Sequence, residues 1–68
     1  MIEVFKRKAY RLDGNGTWVP HGGARRTHIQ MVETRDEARA ICRPHNATRP
    51  TSGNAHYSFT FYEFDEVH

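Results

Sequence analysis

Alternating apolar and polar residues predict three strands in the first half of the chain. Residues 2–12 form the longest alternating stretch and are predicted to be one strand. Residues 13–16, Asp-Gly-Asn-Gly, tolerate turn geometry and predict a hairpin, with a return strand beginning at residues 17–19. Residues 20–23, Pro-His-Gly-Gly, end that strand, and a third strand is predicted over residues 27–33.

A helix start is encoded at Thr34. The segment Thr-Arg-Asp-Glu is a capping box, in which the Thr34 hydroxyl accepts from the N–H of Glu37 and the Glu37 carboxylate can reach back. One buried stripe follows at i, i+3 and i+4: Ala38, Ile41 and Cys42. Pro44 disfavours helical geometry at Arg43, so the helix is predicted to end there after about two and a half turns.

Turn-forming residues predict a loop over residues 45–55, and aromatic residues predict a final strand over residues 57–65. The complete order is strand, strand, strand, helix, strand. We therefore expect residues 1–68 to form one small α+β domain, with a mainly antiparallel, twisted sheet of about four strands and one short helix packed on one face.

Rings on both faces of the final strand are a candidate binding feature. Strand alternation puts one set on each face; the first is Tyr57, Phe59 and Phe61, and the second is Tyr62 and Phe64. One set must cover the core beneath the helix, and the other has no obvious cover, so exposed rings could stack nucleobases or form the centre of a protein interface. Alternatively, a bulge near residues 61–62 switches the inward parity, or the long loop folds over the second face.

Arginines form the second candidate feature. Arg35, Arg39 and Arg43 fall within an arc of about 80° on the predicted helix, beside its apolar stripe. Guanidinium groups suit phosphate or carboxylate recognition. The alternative is a solvated helix flank, with Asp36 paired to Arg39. A basic loop adds Arg25 and Arg26 as further candidates.

Charge is distributed unevenly along the chain. All ten Lys and Arg residues lie in residues 1–49, together with five acids, which gives this part a net charge of +5. Residues 50–68 hold three acids and neither Lys nor Arg. A basic body is compatible with a polyanionic partner, but opposite charges can also neutralise each other across neighbouring strands.

Several classes of protein are disfavoured by the sequence. The single cysteine excludes an internal disulfide framework and fits a reducing cytoplasm. Cys42 and His45 are spaced i, i+3, but a second pair of ligands would have to come from separate strands or loops, which hold His21, His28 and His56, so we predict no metal and no other cofactor. Neither a catalytic motif nor a phosphate-binding loop is present, so we expect no enzyme activity. No apolar run approaches the roughly 20 residues that span a bilayer, so no membrane partner is expected.

The motifs together resemble those of short proteins from bacterial and phage genomes. The features that carry this resemblance are the basic first strand, the Gly-x-Gly-x-Trp turn at residues 14–18, the strand ending Val-Glu-Thr at residue 34, the Arg-Asp-Glu-Ala that follows, and a final strand led by Tyr. Such proteins carry a Trp hairpin and then a Thr-x-x-Glu-Ala helix. Small phage proteins often occlude a host machine, as anti-CRISPR and polymerase-inhibiting proteins do, so the resemblance implies inhibitory binding.

We therefore expect a protein-interaction module, as in a phage or mobile-element accessory factor that binds a larger host protein. The alternative is direct nucleic-acid binding through the basic body, in which residues 6–8 (Lys-Arg-Lys) join Arg25 and Arg26. A third hypothesis is a homo-oligomer, a homodimer for example, that buries the uncovered rings between copies.

Overall fold

The computed structural model describes residues 1–67 and confirms the predicted α+β class with a mostly antiparallel sheet. Seven elements follow one another within these residues: β1 Ile2–Lys8, β2 Tyr10–Leu12, β3 Trp18–Pro20, β4 Thr27–Val32, α1 Arg35–Asn46, α2 Asn54–Ser58 and β5 Thr60–Glu66. Three strands form the main sheet in the order β4-β1-β5, and β2 and β3 form a separate hairpin.

β1 is the central strand of the main sheet and pairs antiparallel with both neighbours. Its pairing with β5 is regular from Ile2 to Lys8. Its pairing with β4 shifts between Val4 and Phe5, where one extra residue of β4 makes a bulge. The two outer strands, β4 and β5, are edges within residues 1–67.

The core lies between the sheet and α1, and it is small. Five of its residues are buried, namely Ile2, Val4, Val32, Ala38 and Cys42, and four partly buried side chains pack against them, namely Ile29, Ile41, Tyr62 and Phe64. Strand alternation therefore puts Tyr62 and Phe64 on the face covered by the helix. The opposite face of the sheet, which we call the open face, holds one buried side chain, Phe5.

The predicted hairpin forms, but the predicted first strand is interrupted. In the turn, the Asp13 carboxylate accepts from the N–H groups of Asn15 and Thr17 at 2.9 and 2.8 Å, and Gly16 has a φ of 79°. The prediction of one strand over residues 2–12 is wrong at Ala9, where the chain bends between β1 and β2. The Ala9 carbonyl there accepts from the N–H of His21 at 2.8 Å, so the residue that follows β3 fixes the bend.

The hairpin extends from the sheet and gives the molecule an elongated shape. The Cα radius of gyration is 13.4 Å, whereas a compact domain of this length is expected to have about 11 Å. Trp18 of the hairpin stacks on Tyr57 of α2 with ring centroids 5.9 Å apart, and Tyr10 meets the same ring edge-on at 5.4 Å. This aromatic cluster attaches the hairpin to α2.

Helix α1 starts as predicted and ends three residues later than predicted. The Thr34 hydroxyl accepts from the N–H of Glu37 at 3.2 Å, which is the forward half of the capping box. The prediction that the helix stops before Pro44 is wrong, because the helix continues to Asn46. Side-chain bonds from the last turn to β5 hold it in place: His45 Nε2 contacts the Thr60 carbonyl at 2.8 Å, and Asn46 bonds the backbone of Tyr62.

The final strand begins later than predicted. Residues 54–58 form the short helix α2, so Tyr57 lies in a helix, and β5 starts at Thr60. Tyr57 packs against the rings of Tyr10 and Trp18, and these contacts outweigh its local preference for a strand. The predicted loop over residues 45–55 is correct only for its middle part, since α1 and α2 occupy its ends.

Candidate binding surfaces

A groove runs between α1 and the outer edge of β5. It has a volume of about 440 Å³ and is lined by Arg39, Cys42, Arg43, Asn46, Tyr62, Glu63 and Phe64. Arginines from the helix lie along one wall, and partly buried rings from β5 lie along the other. We call this surface the edge groove.

Backbone groups of β5 point into the edge groove. The Asn46 amide donates to the Tyr62 carbonyl and its oxygen accepts from the Tyr62 N–H, both at 2.9 Å. The carboxamide thus makes the two bonds that a residue of a neighbouring strand would make. Because outward-pointing residues alternate along an antiparallel edge, the backbone groups of Phe64 and Glu66 have the same orientation as those of Tyr62. The Glu66 N–H donates to the Asp65 carboxylate at 2.9 Å.

The three arginines of the predicted stripe lie along α1, but they have different partners. Arg35 lies 3.5 Å from Glu66, and Arg39 forms the predicted pair with Asp36 at 3.1 Å. All three side chains are exposed, and such pairs are weak. Arg43 has no carboxylate partner within residues 1–67. The unpaired charge of the stripe is therefore at its C-terminal end, in the edge groove.

The open face of the sheet carries paired polar side chains. Arg7 pairs with Glu63 and Arg26 with Asp65, and His28 Nδ1 makes a 2.9 Å hydrogen bond with the Glu3 carboxylate. The Arg26 guanidinium also lies 4.1 Å from the centre of the Phe5 ring. Arg7 and Arg26 thus each have an acidic partner on this face, and Arg26 mainly covers Phe5 and pairs with β5.

The structure does not keep Tyr57, Phe59 and Phe61 together on one face of a strand, although the alternation predicts this. Tyr57 belongs to the cluster with the hairpin, whereas Tyr62 lies under α1, where its ring stacks on His45 at 3.7 Å. Phe59 also stacks on His45, at 5.0 Å, and meets Phe61 edge-on at 5.2 Å.

Phe61 is the one candidate ring on the open face, and the Arg49 guanidinium covers it from 4.7 Å. Arg49 comes from the loop after α1. Of the two alternatives, a bulge in the final strand or a loop folded over its second face, the structure therefore shows the loop. No bulge interrupts β5 at residues 61–62, because its pairing with β1 is regular there.

A second surface collects positive charge at the end of β1. This cavity of about 280 Å³ is lined by Lys6, Arg7, Lys8, His21, Arg25 and Thr27, together with Ala24 and Thr60. No carboxylate lines it, and Lys6, Lys8 and Arg25 form no ion pair within the described part of the chain. We call it the basic cavity.

A third cavity, which we call the ring cavity, adjoins the basic cavity. It has a volume of about 440 Å³ and shares Arg7, Lys8 and His21 with the basic cavity. Phe61, Tyr62 and Pro20 give it an apolar lining, and Glu63, which is paired with Arg7, is its acidic residue. The end of β3 and the middle of β5 thus enclose a space beside the unpaired lysines.

Cys42 and His45 have separate surroundings. Cys42 is buried in the core, and burial raises the pKa of its thiol above the ordinary value, with the nearby Glu63 charge contributing in the same direction. His45 is occupied by its bond to Thr60 and its stack on Tyr62. Among residues 1–67, no group of three His, Cys, Asp or Glu side chains is arranged to hold a metal ion.

Sequence reasoning missed several residues of these surfaces. Asn46 and Arg49 lie in the segment predicted to be a loop, residues 45–55. Nothing in the neighbouring sequence therefore indicated that they contact β5. His21 belonged to a strand-breaking run, and its position in two cavities depends on the bend at Ala9. Lys6, Lys8 and Arg25 were visible as basic residues, but their convergence depends on the fold.

The sequence matches no protein-family model, and comparisons with the curated proteins and with the solved structures also found no match. The resemblance to short bacterial and phage proteins therefore stays a prediction. Over residues 1–67, none of the helices has the length and apolar character needed to cross a membrane.

Proposed function

We propose that this chain is a non-enzymatic protein-interaction module that binds an extended, acidic segment of a larger protein in the edge groove. The observation that supports this most directly is the pair of bonds between Asn46 and the backbone of Tyr62. A side-chain amide there imitates one residue of an added strand. A partner strand would continue the ladder at Phe64 and at the Glu66 carbonyl, which have the same outward orientation, and it would replace the 2.9 Å bond that the Glu66 N–H donates to the Asp65 carboxylate.

The preference for an acidic segment comes from the wall formed by α1. Arg43 has no carboxylate partner within residues 1–67, and the Arg39 pair with Asp36 is exposed and weak. Carboxylates of a bound segment would therefore meet two guanidinium groups, which bind carboxylates with two parallel hydrogen bonds. Tyr62 and Phe64 supply apolar contact beside them, and arginine and aromatic residues are enriched at protein interfaces.

We extend this proposal to a phage or mobile-element accessory role, in which the bound segment belongs to a host machine that is thereby occluded. This step depends on the resemblance of the sequence motifs alone. The chemistry proposed for the edge groove does not depend on it, because any protein with an exposed acidic strand or tail would satisfy the same contacts.

The proposal is tested by titrating labelled protein with a short peptide of alternating Glu and Val residues and following amide shifts by NMR. We expect shifts at Phe64 and Glu66, and an affinity at least about tenfold weaker in the double variant Arg39→Glu/Arg43→Glu, since it loses two charged contacts. The matched control is Arg11→Glu/Arg25→Glu, which makes the same charge change away from the edge groove. Equal loss in both variants would show that net charge alone drives binding.

Two alternative occupants give different results in the same experiment. A single- or double-stranded oligonucleotide that displaces the peptide and shifts the same amides would assign the edge groove to nucleic acid. A concentration-dependent dimer that excludes the peptide, detected by sedimentation, would assign the edge of β5 to a second copy of this chain. Either outcome would overturn the proposal of an acidic protein segment.

A further inference from the structure

We propose that the basic cavity and the ring cavity together bind a nucleotide, with a phosphate in the basic cavity and the base in the ring cavity. This inference does not depend on the protein partner proposed above, because Lys8 and Arg25 do not line the edge groove. The ligand is either a free nucleotide or one unit of a single-stranded nucleic acid, and both present the same chemistry.

The phosphate position follows from charge that the protein leaves unpaired. Lys6 and Lys8 project from the same side of β1, and Arg25 approaches from the loop before β4. Like charges held close together are unfavourable without a counter-charge, and no carboxylate lines this cavity. The hydroxyls of Thr27 and Thr60 add neutral donors. Cations and hydroxyls without any acid favour an anion with several acceptor oxygens, as a phosphate has.

The position of the base follows from the cavity next to it. Arg7, Lys8 and His21 line both cavities, so a ligand can extend from one to the other. Phe61 lines the ring cavity and Arg49 does not, so the Arg49 guanidinium covers a part of the ring away from this space. The remaining surface of Phe61 and the His21 imidazole can stack on a planar base, which aromatic side chains do without sequence preference.

The carboxylates near these cavities are paired with arginines, so they do not repel the phosphate. Glu63 lines the ring cavity, but its carboxylate is held by the Arg7 guanidinium on the open face. Asp65 is likewise held by Arg26. The ring cavity, at about 440 Å³, is in the range of small-ligand sites, and the basic cavity adds about 280 Å³, so together they leave room for a phosphate and a base.

The experiment titrates the full chain at low salt with three probes, namely inorganic phosphate, AMP and a short single-stranded oligoadenylate. For AMP we expect NMR shifts at Lys6, Lys8 and Arg25 and also at His21 and Phe61. For inorganic phosphate we expect weaker binding, with shifts at the cations alone. Equal affinity for AMP and inorganic phosphate, or no shift with either probe, would overturn the proposal.

Variants then test the residues directly. Lys8→Gln and Arg25→Gln should each weaken AMP binding by about tenfold, the effect expected for one charged contact. Arg11→Gln removes an exposed charge from the hairpin, outside both cavities, and should leave AMP binding unchanged. His21→Ala should weaken AMP binding more than phosphate binding. Wild-type AMP affinity in both Lys8→Gln and Arg25→Gln would refute the site.

The third probe, oligoadenylate, distinguishes a free nucleotide from a unit of a single strand. If the site serves a single strand, oligoadenylate should bind at least about tenfold more tightly than AMP, and its affinity should fall with salt at a log–log slope of about −0.7 for each phosphate contacted. If the site serves a free nucleotide, oligoadenylate should bind no more tightly than AMP. Oligoadenylate binding that survives Lys8→Gln and Arg25→Gln unchanged would overturn the assignment to these cavities.

Discussion

Replacing Asn46 by alanine removes both hydrogen bonds between α1 and the backbone of Tyr62. Each such bond contributes a net stability of about 0.5–1.5 kcal/mol, so the pair contributes about 1–3 kcal/mol. Alanine also favours a helix over asparagine by roughly 0.5 kcal/mol, which offsets part of the loss. We therefore expect Asn46→Ala to lower the free energy of unfolding by about 0.5–2.5 kcal/mol.

This loss is large for a chain of this size, because a core this small supplies a net stability of roughly 3–5 kcal/mol. With a urea m-value of about 1 kcal/mol/M, the unfolding midpoint should fall by about 0.5–2.5 M. The measurement is urea unfolding followed by circular dichroism. Equal m-values for the wild type and Asn46→Ala would show that the two proteins unfold in the same way.

Asn46→Asp tests whether the amide, and not only the size of the side chain, matters. The aspartate keeps an acceptor for the Tyr62 N–H, but its second oxygen faces the Tyr62 carbonyl, and two acceptors repel each other. We expect this variant at neutral pH to be no more stable than Asn46→Ala. A urea midpoint for Asn46→Ala within about 0.2 M of the wild type, or an aspartate variant as stable as the wild type, would refute our account of how α1 is held beyond Pro44.

Two further predictions concern the hairpin and the buried thiol. Trp18→Ala removes the stack on Tyr57, which is worth about 0.5–1.5 kcal/mol. Hairpin amides should therefore exchange with solvent about 2- to 10-fold faster, while β1 and β5 amides keep their rates. A uniform increase along the chain would contradict the separate attachment of the hairpin. Because the folded-state pKa of Cys42 lies above its ordinary value of 9.0, the stability contributed by the neutral thiol is complete below about pH 9 and is lost as the pH rises further. The unfolding free energy of the wild type should therefore fall more between about pH 8 and about pH 10 than that of Cys42→Ala, and parallel curves for the two would refute this.

The parts of the fold that could be predicted are those whose signal is local. Thr34 caps α1 because its hydroxyl is three residues from the N–H that needs it, and this geometry is complete in four residues. The turn at Asp13 is similar, because the same carboxylate accepts from two N–H groups within four residues. Neither feature depends on what the rest of the chain does.

The parts that could not be predicted depend on distant partners. Local geometry disfavours a helix through Pro44, but His45 and Asn46 gain hydrogen bonds to β5 only if the helix continues. Tyr57 has a high strand propensity, yet its ring packs between residues of a hairpin that lies about 40 positions earlier in the sequence. In both cases several contacts with remote residues outweigh one local preference.

The candidate sites also combine features that are visible locally with features that depend on distant partners. The clearest example is the pairing of charged side chains. Each of the three acids after residue 50 pairs with an arginine from the first 49 residues: Glu63 with Arg7, Asp65 with Arg26, and Glu66 with Arg35. The uneven charge of the sequence is thus partly neutralised across the fold, as one of the two alternatives predicted. This pairing decides which cations remain for a partner, and neighbouring residues can differ, since Arg26 is paired and Arg25 is not.

Four of the cations without a carboxylate partner within residues 1–67 lie on two surfaces that different ligands would use. Arg43 faces the edge groove, whereas Lys6, Lys8 and Arg25 face the basic cavity. A partner attracted by overall charge alone would lose similar affinity when either group is neutralised, because exposed charges act over about 10 Å at moderate salt. A partner that uses one of these surfaces would respond to one group only. Comparing Arg43→Gln with Arg25→Gln, which change the net charge equally, therefore distinguishes a specific site from general attraction for any ligand of this protein.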